Sequence, residues 1–161
     1  MSNGVAVKPF VGRDLGLRPL PDVWAKMQRF TDERLPESAD EVWFVQHPKV
    51  FTLGLSADSS HLLSPGDIPV VKIDRGGQVT YHGPGQLIIY FLLNIKKRNL
   101  GPKKFVKQLE HLVQKTLLDF QIQSNTIEGS PGVYVDSKKI ASIGLRFSKG
   151  YSYHGISINV D

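Results

Sequence analysis

The sequence predicts an α+β fold, a mixed and mainly antiparallel sheet flanked by helices, and three observations carry that prediction. Short β-rich runs outnumber helical stripes. Strands and helices do not alternate in the regular way that a doubly wound parallel fold requires. The last three runs are joined by Asp136-Ser137-Lys138 and Ser148-Lys149-Gly150, turn-forming triplets that read as the corners of an antiparallel meander.

Taken in order, the first helix is expected from Pro21 and Asp22, which sit where a helix begins. Val23, Trp24, Met27, Phe30 and Arg34 then recur at a three-to-four spacing until Pro36 stops the run. Glu41 to Gln46, Val50 to Leu53, Val70 to Ile73 and Leu87 to Asn94 read as strands. Gly101 and Pro102 open a longer helix whose apolar stripe is Phe105, Val106, Leu109, Leu112, Val113, Leu117 and Phe120. Gly132 to Val135, Lys139 to Phe147 and Tyr151 to Val160 are the strands of the meander.

A length of 161 residues points to one domain, and at this size a folded chain needs no covalent staple. With no cysteine anywhere, disulfides, thiolate metal sites and thioester chemistry carried by these residues are excluded. Charged residues at 22% beside 40% hydrophobic ones are too few for disorder. The longest apolar run, Leu87 to Leu93, is strand-sized, and Met1 to Phe10 lacks the pattern of a secretory or transit leader, so a cytoplasmic protein without a membrane span is expected. The formal charge of +5 suits an acidic partner, whether nucleic acid, acidic protein or anionic lipid.

The segment from Asp74 to Gln86 is the most unusual. Gly76, Gly77, Gly83 and Gly85 bare the backbone, which lets peptide N–H groups approach a ligand, while Arg75, Gln78, Thr80, Tyr81, His82 and Gln86 surround it with polar groups. Tight turns share this glycine content, but their usual companions are Ser, Asp and Lys. The spacing fits neither a Walker loop nor a dinucleotide fingerprint.

Strand parity adds a second signal. Lys139 shares its parity with Ala141, Ile143, Leu145 and Phe147, so it is placed on the apolar face, either for a chemical role or as a strand-end lysine reaching past its neighbours to water. His154 falls with Ile156, Ile158 and Val160 and reads as a satisfied core histidine. His47, His61 and His111 show no ligand spacing, so no metal site is expected. No Gly-x-Ser-x-Gly elbow marks a serine nucleophile. Trp24 and Phe30 read as core, and Lys96-Lys97-Arg98 with Lys103-Lys104 as a solvated rim where an acidic partner can land.

Arg75 through Gln86, followed by Leu87 to Tyr90, resembles the signature of the lipoyl(octanoyl) transferase family. The resemblance extends to Val42–Phe51, Pro65–Val71, Gly132–Leu145 and His154–Val160. It implies the fold of the catalytic domain of biotin and lipoate protein ligases, no cofactor, and a monomer. The implied activity moves an octanoyl or lipoyl group from acyl carrier protein to a lysine of lipoyl-accepting domains in oxidative complexes and of the glycine-cleavage H protein, the first step of lipoate biosynthesis. By motif, Arg75, Gly76, Gly77, Gln78, Val79, Thr80, Tyr81 and His82 line the acyl pocket. Ser142, Ile143, Gly144, Gly155, Ile156 and Ser157 contribute to it, and Lys139 is the essential lysine. Whether His82 touches substrate or ties the glycine turn to the sheet is left open.

The family's nucleophile is a cysteine in a Pro-Cys-Gly segment beyond the Asn-Val pair. The 161 residues are therefore expected to be a single catalytic domain without that C-terminal segment, inactive alone, with the final strand poorly covered. The competing readings are an ATP-dependent ligase of the same fold, an inactive acyl-binding remnant, and a basic nucleic-acid-binding module, the last supported by charge alone.

Overall fold

The structure is a computed structural model that describes residues 9–161; the reading of Met1 to Phe10 as leader-free lies outside the described residues apart from Pro9 and Phe10. The elements in chain order are β1 (Phe10–Leu17), α1 (Leu20–Glu33), β2 (Asp40–Gln46), β3 (Val50–Leu53), a 3-10 turn at Ser59–His61, β4 (Val70–Lys72), β5 (Val79–His82), β6 (Gln86–Leu92), α2 (Pro102–Asp119), β7 (Asn125–Ile127), β8 (Ser130–Val135), β9 (Lys138–Ser148) and β10 (Tyr151–Asn159). A seven-stranded sheet has the order β1-β2-β6-β10-β9-β8-β7, and a three-stranded sheet the order β4-β3-β5. Only β1 with β2 and β3 with β4 pair in parallel; every other pairing is antiparallel. The predicted α+β class and meander are both found. Among the described residues no helix is long and apolar enough to cross a membrane.

Period-2 alternation in the central strands builds two cores on opposite faces of the large sheet. Val42, Phe91 and Leu93 turn to the α2 side, where they meet Phe105, Leu109, Val113 and Leu117. Trp43, Val45, Ile88, Tyr90 and Leu92 turn the other way, onto Val23 and Met27 of α1. Leu20 and Trp24 of α1 also contact Val50 and Ile73, which places the small sheet beside α1 on that second face. The α2 stripe is narrower than its sequence pattern: Leu112 and Phe120 are exposed. The buried positions Phe105, Leu109, Val113 and Leu117 recur every fourth residue, with Val106 packed at the margin of the same core.

Three strands were not foreseen. β1 carries Gly12, Arg13, Asp14 and Gly16 and is exposed along most of its length, so it has no apolar alternation to read. β5 is embedded in the glycine segment, and β7 is three exposed residues. The solvated rim is also partly tied down. Arg98 pairs with Asp40 at 2.7 Å, and Asp40 is shared with Arg34 at 2.8 Å, fastening the end of α1 to β2 and to the loop after β6. The expectation of a poorly covered final strand is overturned. β10 lies mid-sheet between β6 and β9, and Ser152 through Ser157 are all buried, because Gly155 pairs with Tyr90 on one side and Gly144 on the other.

Gly155 permits that crossing. A Cβ there would lie 2.0 Å from the Ile89 carbonyl oxygen and 2.9 Å from the Phe91 ring. Gly155→Ala is therefore expected to lower unfolding free energy by at least about 2 kcal/mol in urea titration. Gly12→Ala, whose Cβ would meet Phe44 at an ordinary 3.9 Å, serves as the comparison and should change it by less than about 0.5 kcal/mol.

Candidate active site

The segment Arg75–Gly77 leaves the small sheet and lies against β9: the Gly76 N–H donates to the Leu145 carbonyl at 3.0 Å. Between this segment and β9 opens a cleft of about 740 Å³, inside the range of roughly 300–1,000 Å³ usual for small-molecule sites. One wall is Arg75, Gly76, Gly77, Gln78, Val79, Thr80 and Tyr81; the other includes Lys139, Ser142, Ile143 and Gly144. A smaller inner cavity of about 40 Å³ adjoins it, sharing Arg75, Thr80, Ser142, Ile143 and Gly144, and adds His82, Gly155, Ile156 and Ser157. The fold thus brings every sequence-predicted site residue to one of two neighbouring spaces that share part of their lining.

Arg75 is 7% exposed, and burial pushes its guanidinium down to about 10. It is held by neutral oxygens: Nη2 donates to the Thr52 hydroxyl at 2.7 Å, the Thr52 carbonyl at 3.1 Å and the Gln78 carbonyl at 2.9 Å, and Nη1 to the Gly76 carbonyl at 2.9 Å. Among the described residues Arg75 takes part in no ion pair. His82 Nδ1–H donates to Gln86 Oε1 at 2.6 Å, and Gln86 Nε2 donates to the Tyr81 carbonyl at 3.1 Å and to Asn159 at 2.9 Å. Burial pushes His82 down to about 4. His82 therefore ties the glycine turn together and also borders the inner cavity as a neutral imidazole.

Sequence reasoning missed a group of residues around that cavity. Asp74 accepts from Trp24 Nε1 at 2.9 Å, from Gln28 at 3.5 Å, from His154 Nε2 at 2.8 Å and from the Tyr153 hydroxyl. Burial alone would raise its carboxyl, but the donors from His154, Tyr153 and Trp24 outweigh burial and hold it well below the usual carboxylate range. Tyr153 and His154 are consecutive, and a regular pleat would send them to opposite faces. His154 has φ +61°, which breaks the pleat and lets both reach one carboxylate. His154 is thus a satisfied buried histidine, as expected, but not on the face that parity gave it. Burial lowers it more than Asp74 raises it. Tyr90 lies beside His154, and its hydroxyl meets His47 Nε2 at 2.8 Å. Asp74 had a signal, since it opens the glycine segment; Tyr90, inside an apolar run, had none.

Parity also misplaced Lys139. The β8–β9 register runs Val133↔Ala141 and then Tyr134↔Lys139, so Ile140 is an extra residue, a bulge. Ile140 and Ala141 both pack on the α2-side core, and Lys139 turns to the other face, opposite Tyr134. It is exposed at the cleft wall with its Nζ donating to the Pro131 carbonyl at 3.3 Å.

The family model of the lipoyl protein ligase A/B catalytic domain matches residues 20–161. The chain is 52% identical over 149 residues to an octanoyltransferase of Pseudomonas syringae pv. syringae (strain B728a), covering 92% of this chain and 68% of that protein. It is 50% identical over 149 residues to an octanoyltransferase of Alkalilimnicola ehrlichii, covering 92% and 69%. Among solved structures, lipoate-protein ligase A bound with ATP superposes with TM-score 0.72 at 14% identity, covering 93% of this chain and 67% of that one. The biotin acetyl coenzyme A carboxylase synthetase of Helicobacter pylori superposes with TM-score 0.61 at 14% identity, covering 93% and 61%. At such identities the structural likeness establishes the fold.

Two measurements check this site. His82 binds its proton near pH 6.5 when unfolded and near 4 when folded, so between those values the unfolded chain holds more protons. Stability should therefore fall as pH drops from about 6.5 to about 4, by about 3 kcal/mol from His82 alone. His47 and His154, both lowered by burial, add with the same sign. A urea midpoint constant between pH 7 and pH 4 would show these histidines are not held neutral. Asp74→Ala strands the Trp24, Tyr153 and His154 donors and should cost about 2–4 kcal/mol, read by urea titration followed through tryptophan fluorescence.

Proposed function

The chain belongs to the lipoyl protein ligase A/B catalytic domain family, and from that premise we propose that its cleft binds the octanoyl group during octanoyl transfer in lipoate biosynthesis. The observation that carries this reading is the combination of 52% identity to an octanoyltransferase with a cleft formed by the Arg75–Tyr81 segment and the Ser142–Gly144 stretch of β9. The donor is octanoyl-acyl carrier protein and the acceptor a lysine of a lipoyl domain or of the glycine-cleavage H protein. The protein works as a cytoplasmic monomer, and residues 1–161 form a single catalytic domain.

An octanoyl tail is worth on the order of 5 kcal/mol of gross burial at roughly 0.8 kcal/mol per carbon, provided the walls admit it. Ile143 and Val79 in the cleft and Ile73, Ile88 and Ile156 in the inner cavity supply apolar contact.

The chemistry is acyl transfer in two displacements. A cysteine thiolate attacks the thioester carbonyl carbon; the carrier's thiolate leaves and takes up a proton. The acceptor amine then attacks the enzyme thioester, forms the amide and loses a proton as the cysteine thiolate departs. No cysteine is among the 161 residues, and the nucleophile is the one in the family's Pro-Cys-Gly segment. Lys139 is the catalytic residue this chain contributes. Its ammonium lowers the thiol pKa and stabilises the oxyanion that develops on the carbonyl.

In protein carrying the Pro-Cys-Gly segment, Lys139→Ala should lower transfer from octanoyl-carrier protein to a lipoyl domain by more than about 100-fold, with the circular dichroism spectrum unchanged. The 161-residue chain should bind octanoate by calorimetry and transfer nothing. Turnover by the short chain would remove the cysteine from the mechanism, and ATP-dependent activation of free octanoate would replace transfer with ligation.

A further inference from the structure

We propose that Tyr134 is a positioning residue for Lys139, its ring face serving as the platform that aims the ammonium into the cleft; the inference rests on the reading of Lys139 given above. The bulge at Ile140 makes Tyr134 and Lys139 direct cross-strand partners. Lys139 Nζ lies 5.3 Å from the centre of the Tyr134 ring, within the range of a cation–π contact. The ring is 7% exposed and is fixed by its hydroxyl, which meets Ser130 Oγ at 2.6 Å.

Two further features complete the cradle. The Pro131 carbonyl accepts from Lys139 Nζ at 3.3 Å. Gly132, at φ +138°, leaves free the space beside the lysine stem, since a Cβ there would lie 3.2 Å from Lys139 Cε and 2.5 Å from the Ala141 carbonyl oxygen. Glu110 is occupied in accepting the Gly132 N–H at 3.1 Å. Among the described residues Lys139 takes part in no ion pair.

This choice of partner has a chemical reason. A carboxylate would hold the ammonium but neutralise it, and would compete with the thiolate or the developing oxyanion for its charge. An aromatic face holds the cation through its quadrupole and leaves the charge available to a second anion. A bulge is what this arrangement requires, because an unbroken β9 would turn Lys139 into the α2-side core.

The test uses protein that carries the Pro-Cys-Gly segment, with octanoyl-carrier protein as donor and a lipoyl domain as acceptor. Tyr134→Leu keeps apolar bulk and removes the quadrupole; kcat should fall about 3- to 10-fold with KM for the donor unchanged. Tyr134→Phe keeps the ring and loses the hydroxyl, with its contact to Ser130 and its interaction with Lys139; if the ring face is the platform, kcat should stay within about twofold. Should the leucine variant not fold, phenylalanines bearing one, two and three ring fluorines at position 134, nearly unchanged in shape, should lower kcat stepwise. Equal kcat across the fluorinated series, or equal losses in Leu and Phe, would overturn the platform. If Lys139→Ala retains kcat, the assignment of Lys139 itself fails; if it abolishes kcat while Tyr134→Leu is silent, only the platform fails.

Discussion

The site depends on how closely two backbones approach. Gly76 of the small-sheet segment sits on β9 with its N–H bonded to the Leu145 carbonyl at 3.0 Å, and a Cβ on Gly144 would lie 3.0 Å from the Gly76 carbonyl oxygen. Behind them Gly155 admits no side chain at all. A side chain at Gly144, whose Cβ would also lie 3.1 Å from Arg75 Cδ, would push the Arg75–Gly76 segment off β9, and the cleft would lose a wall. The glycines therefore set the spacing on which the cleft depends, in addition to lining it.

The polar groups enclosed by that contact are organised to be satisfied without being neutralised. Asp74 is saturated with donors, and burial keeps His47, His82 and His154 low. Arg75 is coordinated by hydroxyl and carbonyl oxygens only. The arrangement leaves Arg75 and Lys139 as cations bordering the cleft with no carboxylate ion-paired to either among the described residues. Fixed positive charge beside a partly enclosed cleft is the electrostatic condition that favours negative charge developing on a carbonyl oxygen. The same arrangement makes the site sensitive to acid, because protonating His82 or His154 places a second buried cation near Arg75.

α1 contributes to the site from a distance. Trp24 and Gln28 reach Asp74, and at the helix end Arg34 bonds to Asp40 and the Leu92 carbonyl while stacking on Tyr151 at 4.5 Å. The helix thus ties the start of the Arg75 segment to one end of the central strands, which keeps the wall of the cleft fixed relative to β10.

Local pattern in the sequence determined the α+β class, both helices, the meander of β8, β9 and β10, and the concentration of chemistry in Asp74–Gln86, because periodicity and glycine content are properties of neighbouring residues. What only the tertiary structure decided are the features that depend on a partner strand. The bulge at Ile140 appears only where β9 meets β8, and it moved Lys139 off the face its parity assigned. The left-handed backbone of His154 follows from a carboxylate 80 residues away. β1 and β7 exist because an edge offered them hydrogen bonds, although their own side chains are exposed and carry no period. Alternation can be read along a chain only while the backbone is regular, and it fails here at the Ile140 bulge and at the left-handed His154.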